Sequence, residues 1–202
     1  MVFGGTMKIT IFGINITISF LFCAILSILM LCDRTGMIVP MFIAVIMHEL
    51  GHLAVMKFFG CAPTEIRLIP GSVRIVTPVC TEKHSVLILV SGSLLNIIIF
   101  LIVYISSTIQ CVNYYIDFAF INLIYGIFNL LPFNALDGGS ILEEIISTKL
   151  GNIKAKKIIK IITLFGAVLF LLAFIILAVN ESVNYSLLVL CLYLVLSVFL
   201  KF

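Results

Sequence analysis

The chain has no tryptophan, only three histidines and 10% charged residues, where soluble proteins carry about 25% charge. So few charges exclude an ordinary water-facing surface. Hydrophobic residues make up 63% of the 202, and the mean hydropathy is +1.33, so the apolar surplus is the bulk of the protein rather than one anchor. The net charge of +3 sits in a few clusters and forms no basic face, which excludes a nucleic-acid partner. The six cysteines (Cys23, Cys32, Cys61, Cys80, Cys111, Cys191) form no CxxC or other close ligand pair. They read as small buried hydrophobes without a disulfide framework. Met1 to Phe3 supplies almost no positive n-region and no A-x-A site follows the first apolar run, which therefore reads as a retained helix.

What is present is a series of long apolar runs. A membrane-crossing helix needs about 20 mainly apolar residues, and six stretches qualify: 10–31, 37–59, 85–105, 115–132, 160–179 and 185–200. The expected fold is an all-α polytopic membrane protein of about six helices, forming one domain over residues 1–202. Lys and Arg are retained on the cytoplasmic side of membrane proteins. With six spans, Lys8, Lys57, Arg67, Arg74, Lys83, Lys149, Lys154, Lys156, Lys157, Lys160 and Lys201 share one face, and Arg34 alone lies on the other. Both termini are therefore expected in the cytoplasm.

Between the second and third spans, Glu65-Ile66-Arg67-Leu68-Ile69 and Val73-Arg74-Ile75-Val76-Thr77 alternate around Pro70-Gly71-Ser72. This is the pattern of a short membrane-associated β-hairpin. An unpaired edge there would accept an extended peptide by strand addition; alternatively the hairpin only caps the membrane face.

The second span carries His48-Glu49-Leu50-Gly51-His52. On a helix, positions i and i+4 share a face, so both imidazoles reach one metal, while Glu49 stands beside the water that a zinc ion would activate. Glu49 is then the general base for attack on a peptide carbonyl. In a run reading Met41-Phe42-Ile43-Ala44-Val45-Ile46-Met47, ionisable groups without partners are expensive, which makes them functional by default. A catalytic zinc takes three protein ligands. Asp137 is the candidate third, in Asn129-Leu130-Leu131-Pro132-Phe133-Asn134-Ala135-Leu136-Asp137-Gly138-Gly139, where Pro132 ends a helix and two glycines permit a sharp turn. The competing reading of Asp137 is a cap on the following helix. His84 reads as an interfacial histidine, and the segment from Glu143-Glu144 to Lys160 as an amphipathic stretch on the headgroups.

HELGH on the second of six helices, with NLLPFNALDGG after the fourth and Ser91-Gly92-Ser93-Leu94-Leu95-Asn96 on the third, resembles the site-2 protease family of intramembrane zinc metalloproteases. The resemblance implies one Zn2+ per chain held by His48, His52 and Asp137, with Glu49 as the base. Asn129 matches an Asn placed near the metal to polarise the substrate carbonyl, and Asn96 matches a family position near the active site. The six-span order is most similar to the bacterial sporulation branch that releases a sigma factor from its membrane-bound precursor, here without that branch's CBS domain. Where the family often has prolines before LDGG, this chain has Asn134-Ala135. The implied partners are a transmembrane or membrane-associated substrate, the lipid bilayer and a membrane regulatory protein; the implied location is a bacterial cell membrane, in that branch a sporulation membrane. The rival readings are a catalytically inactive homologue that binds membrane proteins and an intramembrane ion or proton transporter.

Overall fold

The computed structural model describes residues 5–11, 14–61, 63–69, 72–76, 82–110, 115–179 and 185–199. Pro70 and Gly71 of the expected turn, Cys80, Cys111 and both chain ends lie outside the described residues. The chain forms two compact units, Met1–Gly126 and Ile127–Phe202.

The first unit runs β1 (Thr6–Ile11), β2 (Ile14–Ser19), α1 (Phe20–Cys32), α2 (Ile38–Phe58), β3 (Glu65–Ile69), β4 (Ser72–Val76), α3 (Glu82–Gln110) and α4 (Ile116–Asn129), the last three residues of α4 beginning the second unit. The strands form one sheet in the order β1-β2-β3-β4, antiparallel at its two outer pairings and parallel between β2 and β3. An all-α fold with a lone hairpin is thus corrected to a helical fold with a four-stranded sheet, and the first expected span, 10–31, is replaced by β1, β2 and the 13-residue α1. The reason lies in the period. Ile14, Ile16 and Ile18 alternate with Asn15, Thr17 and Ser19, which gives a strand one apolar and one polar face, whereas hydropathy averaged over the run reads as a helix. Thr17 donates to Glu65 at 3.1 Å, so β2 and β3 are also joined through side chains. Arg67 pairs with Glu65 at 2.7 Å and holds its carboxyl below the usual range.

Asp33 starts α2. Its carboxylate accepts from the N–H groups of Ile38, Thr35 and Gly36 at 2.9–3.0 Å and from the Thr35 hydroxyl at 2.7 Å. The Ile38 bond is foremost in holding the Asp33 pKa below its ordinary value. Of these, the Ile38 N–H is a donor that the start of α2 leaves unpaired, while those of Thr35 and Gly36 belong to the preceding turn. Along its length α2 packs on α3 at a seam of small residues. A Cβ on Gly51 would stand 2.7 Å from the Ser91 carbonyl oxygen and 2.9 Å from the Gly92 Cα, so the two backbones approach as only glycine allows.

The second unit holds a turn at residues 130–136, then α5 (Asp137–Leu150), α6 (Asn152–Val179) and α7 (Tyr185–Phe199). The charged stretch expected to lie on the headgroups is in part a separate helix, α5, ended by Gly151 at φ +82, and α6 begins eight residues before the expected 160. Phe133, Leu136, Ala167, Cys191 and Leu194 form its core.

Among the described residues three helices are long and apolar enough to cross a membrane: Ile38–Phe58, His84–Ile109 and Asn152–Val179; the other expected spans hold shorter apolar helices. Their outer faces present apolar side chains such as Ile102, Phe165 and Ile176. Of the six cysteines read as small buried hydrophobes, Cys61 and Cys191 are buried, whereas Cys23 and Cys32 are exposed; Cys61 is disulfide-bonded, and Cys23, Cys32 and Cys191 are free. Pairing depends on spatial approach, which cysteine spacing does not reveal.

Gly51→Ala should lower unfolding stability in detergent by about 1–3 kcal/mol, because the added methyl meets backbone that cannot rotate away. A change within about 0.5 kcal/mol, the ordinary surface effect, would remove the close α2–α3 approach from the account.

Candidate active site

In the first unit, His48 and His52 lie one turn apart on α2 and are both buried, at 2% and 6% exposure. Burial at this level in an apolar helix demands that each ring be held. The His52 Nδ1 lies 2.7 Å from the Ile88 carbonyl of α3, so Nδ1 carries the proton and Nε2 keeps its lone pair. Ser91 secures the same contact: its hydroxyl donates to the Ile88 carbonyl at 2.6 Å and lies 3.1 Å from the Gly51 carbonyl. The His48 ring stands edge-on to His52, with centroids 4.7 Å apart, and to Tyr125 of α4 at 5.2 Å.

Gly92 faces both imidazoles. A Cβ there would stand 2.5 Å from the His52 Nε2 and 2.9 Å from the His48 Cε1, so the missing side chain keeps the coordinating edge of His52 open. A neutral imidazole whose second nitrogen is tied to a backbone carbonyl is the form that ligates zinc, and the partner fixes its tautomer and ring direction. On donor chemistry and on space, the pair fits a zinc ion.

Glu49, the next residue on α2, is half-buried and lines a cavity of about 520 Å³ shared by α1, α2, β3 and Tyr125. Apart from Glu49 and the Tyr125 hydroxyl its walls are apolar, among them Phe22, Phe42, Leu53, Ile66 and Leu68. Asn96 is fully buried and donates to the Ala44 carbonyl at 3.1 Å and to Asn122 at 3.3 Å. His84 stacks flat on Phe59, with centroids 4.2 Å apart.

In the second unit, Asn129 is the buried last residue of α4 and Asp137 the half-buried first residue of α5. The helix-cap reading of Asp137 does not hold, because the cap position is Leu136, in extended conformation. The turn before it is tightly folded: Phe133 N–H donates to the Leu131 carbonyl and Leu136 N–H to that of Phe133. Gly138 packs against the Leu130 carbonyl and Gly139 against that of Phe133, so closely that a methyl on either would collide with backbone. Asn134 holds the turn to the two last helices, accepting a place where its N–H donates to the Thr163 hydroxyl and its amide nitrogen to the Ser197 carbonyl, both at 2.8 Å.

Sequence reasoning missed Asn122, Tyr125 and the supporting role of Ser91. An uncharged Asn inside the apolar run 116–129 is the one signal that was available, since a buried amide in such surroundings needs partners. The Tyr125 contact with His48 leaves no mark in the spacing.

Comparison with known proteins gives three findings. The sequence model of peptidase family M50 matches residues 106–173, a stretch that contains Asn129 and Asp137. A curated zinc metalloprotease of Methanocaldococcus jannaschii is 33% identical over 156 residues, 74% of this chain and 42% of that protein, so the chain spans about two fifths of that relative. The solved structure of a site-2 protease from Methanocaldococcus jannaschii is similar with a TM-score of 0.71 at 26% identity, over 96% of this chain and 94% of that one. Family model, curated relative and solved structure agree in what this chain is similar to, the site-2 proteases of peptidase family M50.

Proposed function

We propose that the protein is an intramembrane zinc endopeptidase, with one zinc per chain held by His48, His52 and Asp137 and with Glu49 as general base. The observation that carries this reading is the His52 imidazole, held through Nδ1 by Ile88 with the side-chain-free Gly92 against its Nε2. The three proposed residues each offer one ligand atom of a kind zinc accepts, the two-histidine, one-carboxylate set of catalytic sites. A bound zinc supplies a Lewis acid and brings the pKa of a water molecule near about 7. Glu49 accepts the proton of the attacking water and delivers it to the leaving amine nitrogen. Asn129 donates its amide to the substrate carbonyl as charge develops there.

The substrate class follows from the walls around the base. Glu49 opens on an apolar cavity, which suits the side chains of a transmembrane or membrane-associated segment. A helical segment has its carbonyls hydrogen-bonded along the helix and has to unwind before attack. In the sheet β3 is paired on both sides, so the hairpin strand available to an unwound segment is β4. The distribution of basic residues supports both termini and the site on the cytoplasmic face, with the shorter apolar helices completing six crossings. The order of the motifs supports a membrane-tethered regulatory precursor as substrate, a sigma factor in the sporulation branch, with a membrane regulatory protein as a further partner.

Glu49→Gln should lower cleavage of a membrane-embedded reporter by about 10²–10⁴-fold while the purified protein keeps its zinc, as loss of a general base requires. Retained cleavage by that variant would falsify the role of Glu49. Metal analysis of detergent-purified protein should find about one zinc per chain, lost in His52→Ala and in Asp137→Ala. Zinc retained by Asp137→Ala alone assigns the third ligand to another residue.

A further inference from the structure

Asn96 and Asn122 are fully buried amides on α3 and α4, and their bonds converge on the helix that carries the two histidines. Asn96 Nδ2 donates to the Ala44 carbonyl of α2 at 3.1 Å and to Asn122 Oδ1 at 3.3 Å. Asn122 Nδ2 donates to the Phe118 carbonyl one turn back on α4 at 2.9 Å, which settles which way round its amide lies and turns its oxygen to Asn96. In an α-helix the Ala44 carbonyl also receives the His48 N–H. Asn96 therefore grips α2 at the peptide bonded to the first histidine. Gly126, one turn beyond Asn122, lets α4 approach: a Cβ there would stand 3.1 Å from the Ser93 carbonyl oxygen and 3.2 Å from the Asn96 Cβ.

Stability alone does not account for these amides. Asn96 Oδ1 and Ser93 Oγ are buried with no hydrogen-bond partner among the described residues, and an apolar pair of similar size would fill the space without that penalty. What a buried amide pair adds is alignment, since its bonds form at one axial register only, as with a single buried Asn in a coiled coil. We propose that Asn122, acting through Asn96, is a positioning residue that sets the axial register of α2 and thereby the aim of His48, His52 and Glu49. The consequence for catalysis rests on the zinc-peptidase reading; the register itself does not.

The test uses the full chain in detergent as wild type, Asn122→Leu and Asn122→Asp, with cobalt(II) as the metal probe. The Asp variant, kept neutral by burial, still accepts from Asn96 and donates to Phe118. Asn122→Leu is expected to fold, take up one cobalt and show an altered visible spectrum. Its kcat should fall about tenfold or more with KM within about twofold, and amide exchange over residues 44–52 should quicken about tenfold. Asn122→Asp should return all of these to near the wild type. A Leu variant with wild-type spectrum, kcat and exchange overturns the proposal, and so does an Asp variant as impaired as the Leu variant. Should Asn122→Leu fail to fold, Asn122→Ala is read against the same measurements. A wild type that binds no cobalt and cleaves nothing sinks the zinc-peptidase reading instead, and the exchange comparison, which involves no metal, still decides the register.

Discussion

A polar group carried into apolar surroundings has to be met by another, and in this chain the meetings fall along one seam between α2 and α3. Asn96 bonds the Ala44 carbonyl, Ser91 reaches the Gly51 carbonyl, and His52 is tied to Ile88. These contacts run in opposite directions along the two helices, so they lock register as well as distance. They are possible because Gly51 and Gly92 let the backbones close to a separation at which an added methyl would collide. Gly92, one of the two glycines that permit this packing, also keeps a side chain away from the Nε2 edge of His52, which joins fold and site in one arrangement.

The second unit solves a different problem with the same means. A turn at the end of an apolar helix exposes backbone groups that lipid cannot satisfy. Here the turn folds on itself, with Phe133 and Leu136 bonded inside it and Asn134 tied to Thr163 and Ser197. Prolines at this place would stiffen the turn by restricting φ. Asn134 stiffens it by hydrogen bonds to α6 and α7 instead. The collision distances at Gly138 and Gly139 explain why Asp137 is followed by two glycines: the first turn of α5 lies directly on the carbonyls of the preceding turn.

Around Glu49 the walls are apolar and Glu49 itself is half-buried. The sheet beside this cavity is more than a cap, since β3 contributes Ile66 and Leu68 to the wall while pairing on both edges. That pairing passes any strand addition in the hairpin to β4, a point the alternating pattern of residues 65–77 does not contain.

By itself the sequence determined the membrane class, the helix bearing HExxH, and two short strands expected at 65–69 and 73–77 and found at 65–69 and 72–76, because hydropathy, the i to i+4 spacing and period-two alternation are local properties. The alternation in residues 6–19 was equally local, but a hydropathy average hid it, and α5 was hidden in the same way by its charges. Tertiary structure alone decided which nitrogen of His52 is open, why Gly92 has no side chain, and that Tyr125 stands against His48. It also decided that Asn96 and Asn122 bond each other and α2. Those facts depend on groups far apart in the chain, and a tautomer or an amide partner is set by what lies within hydrogen-bond reach in space, which no spacing along the sequence encodes.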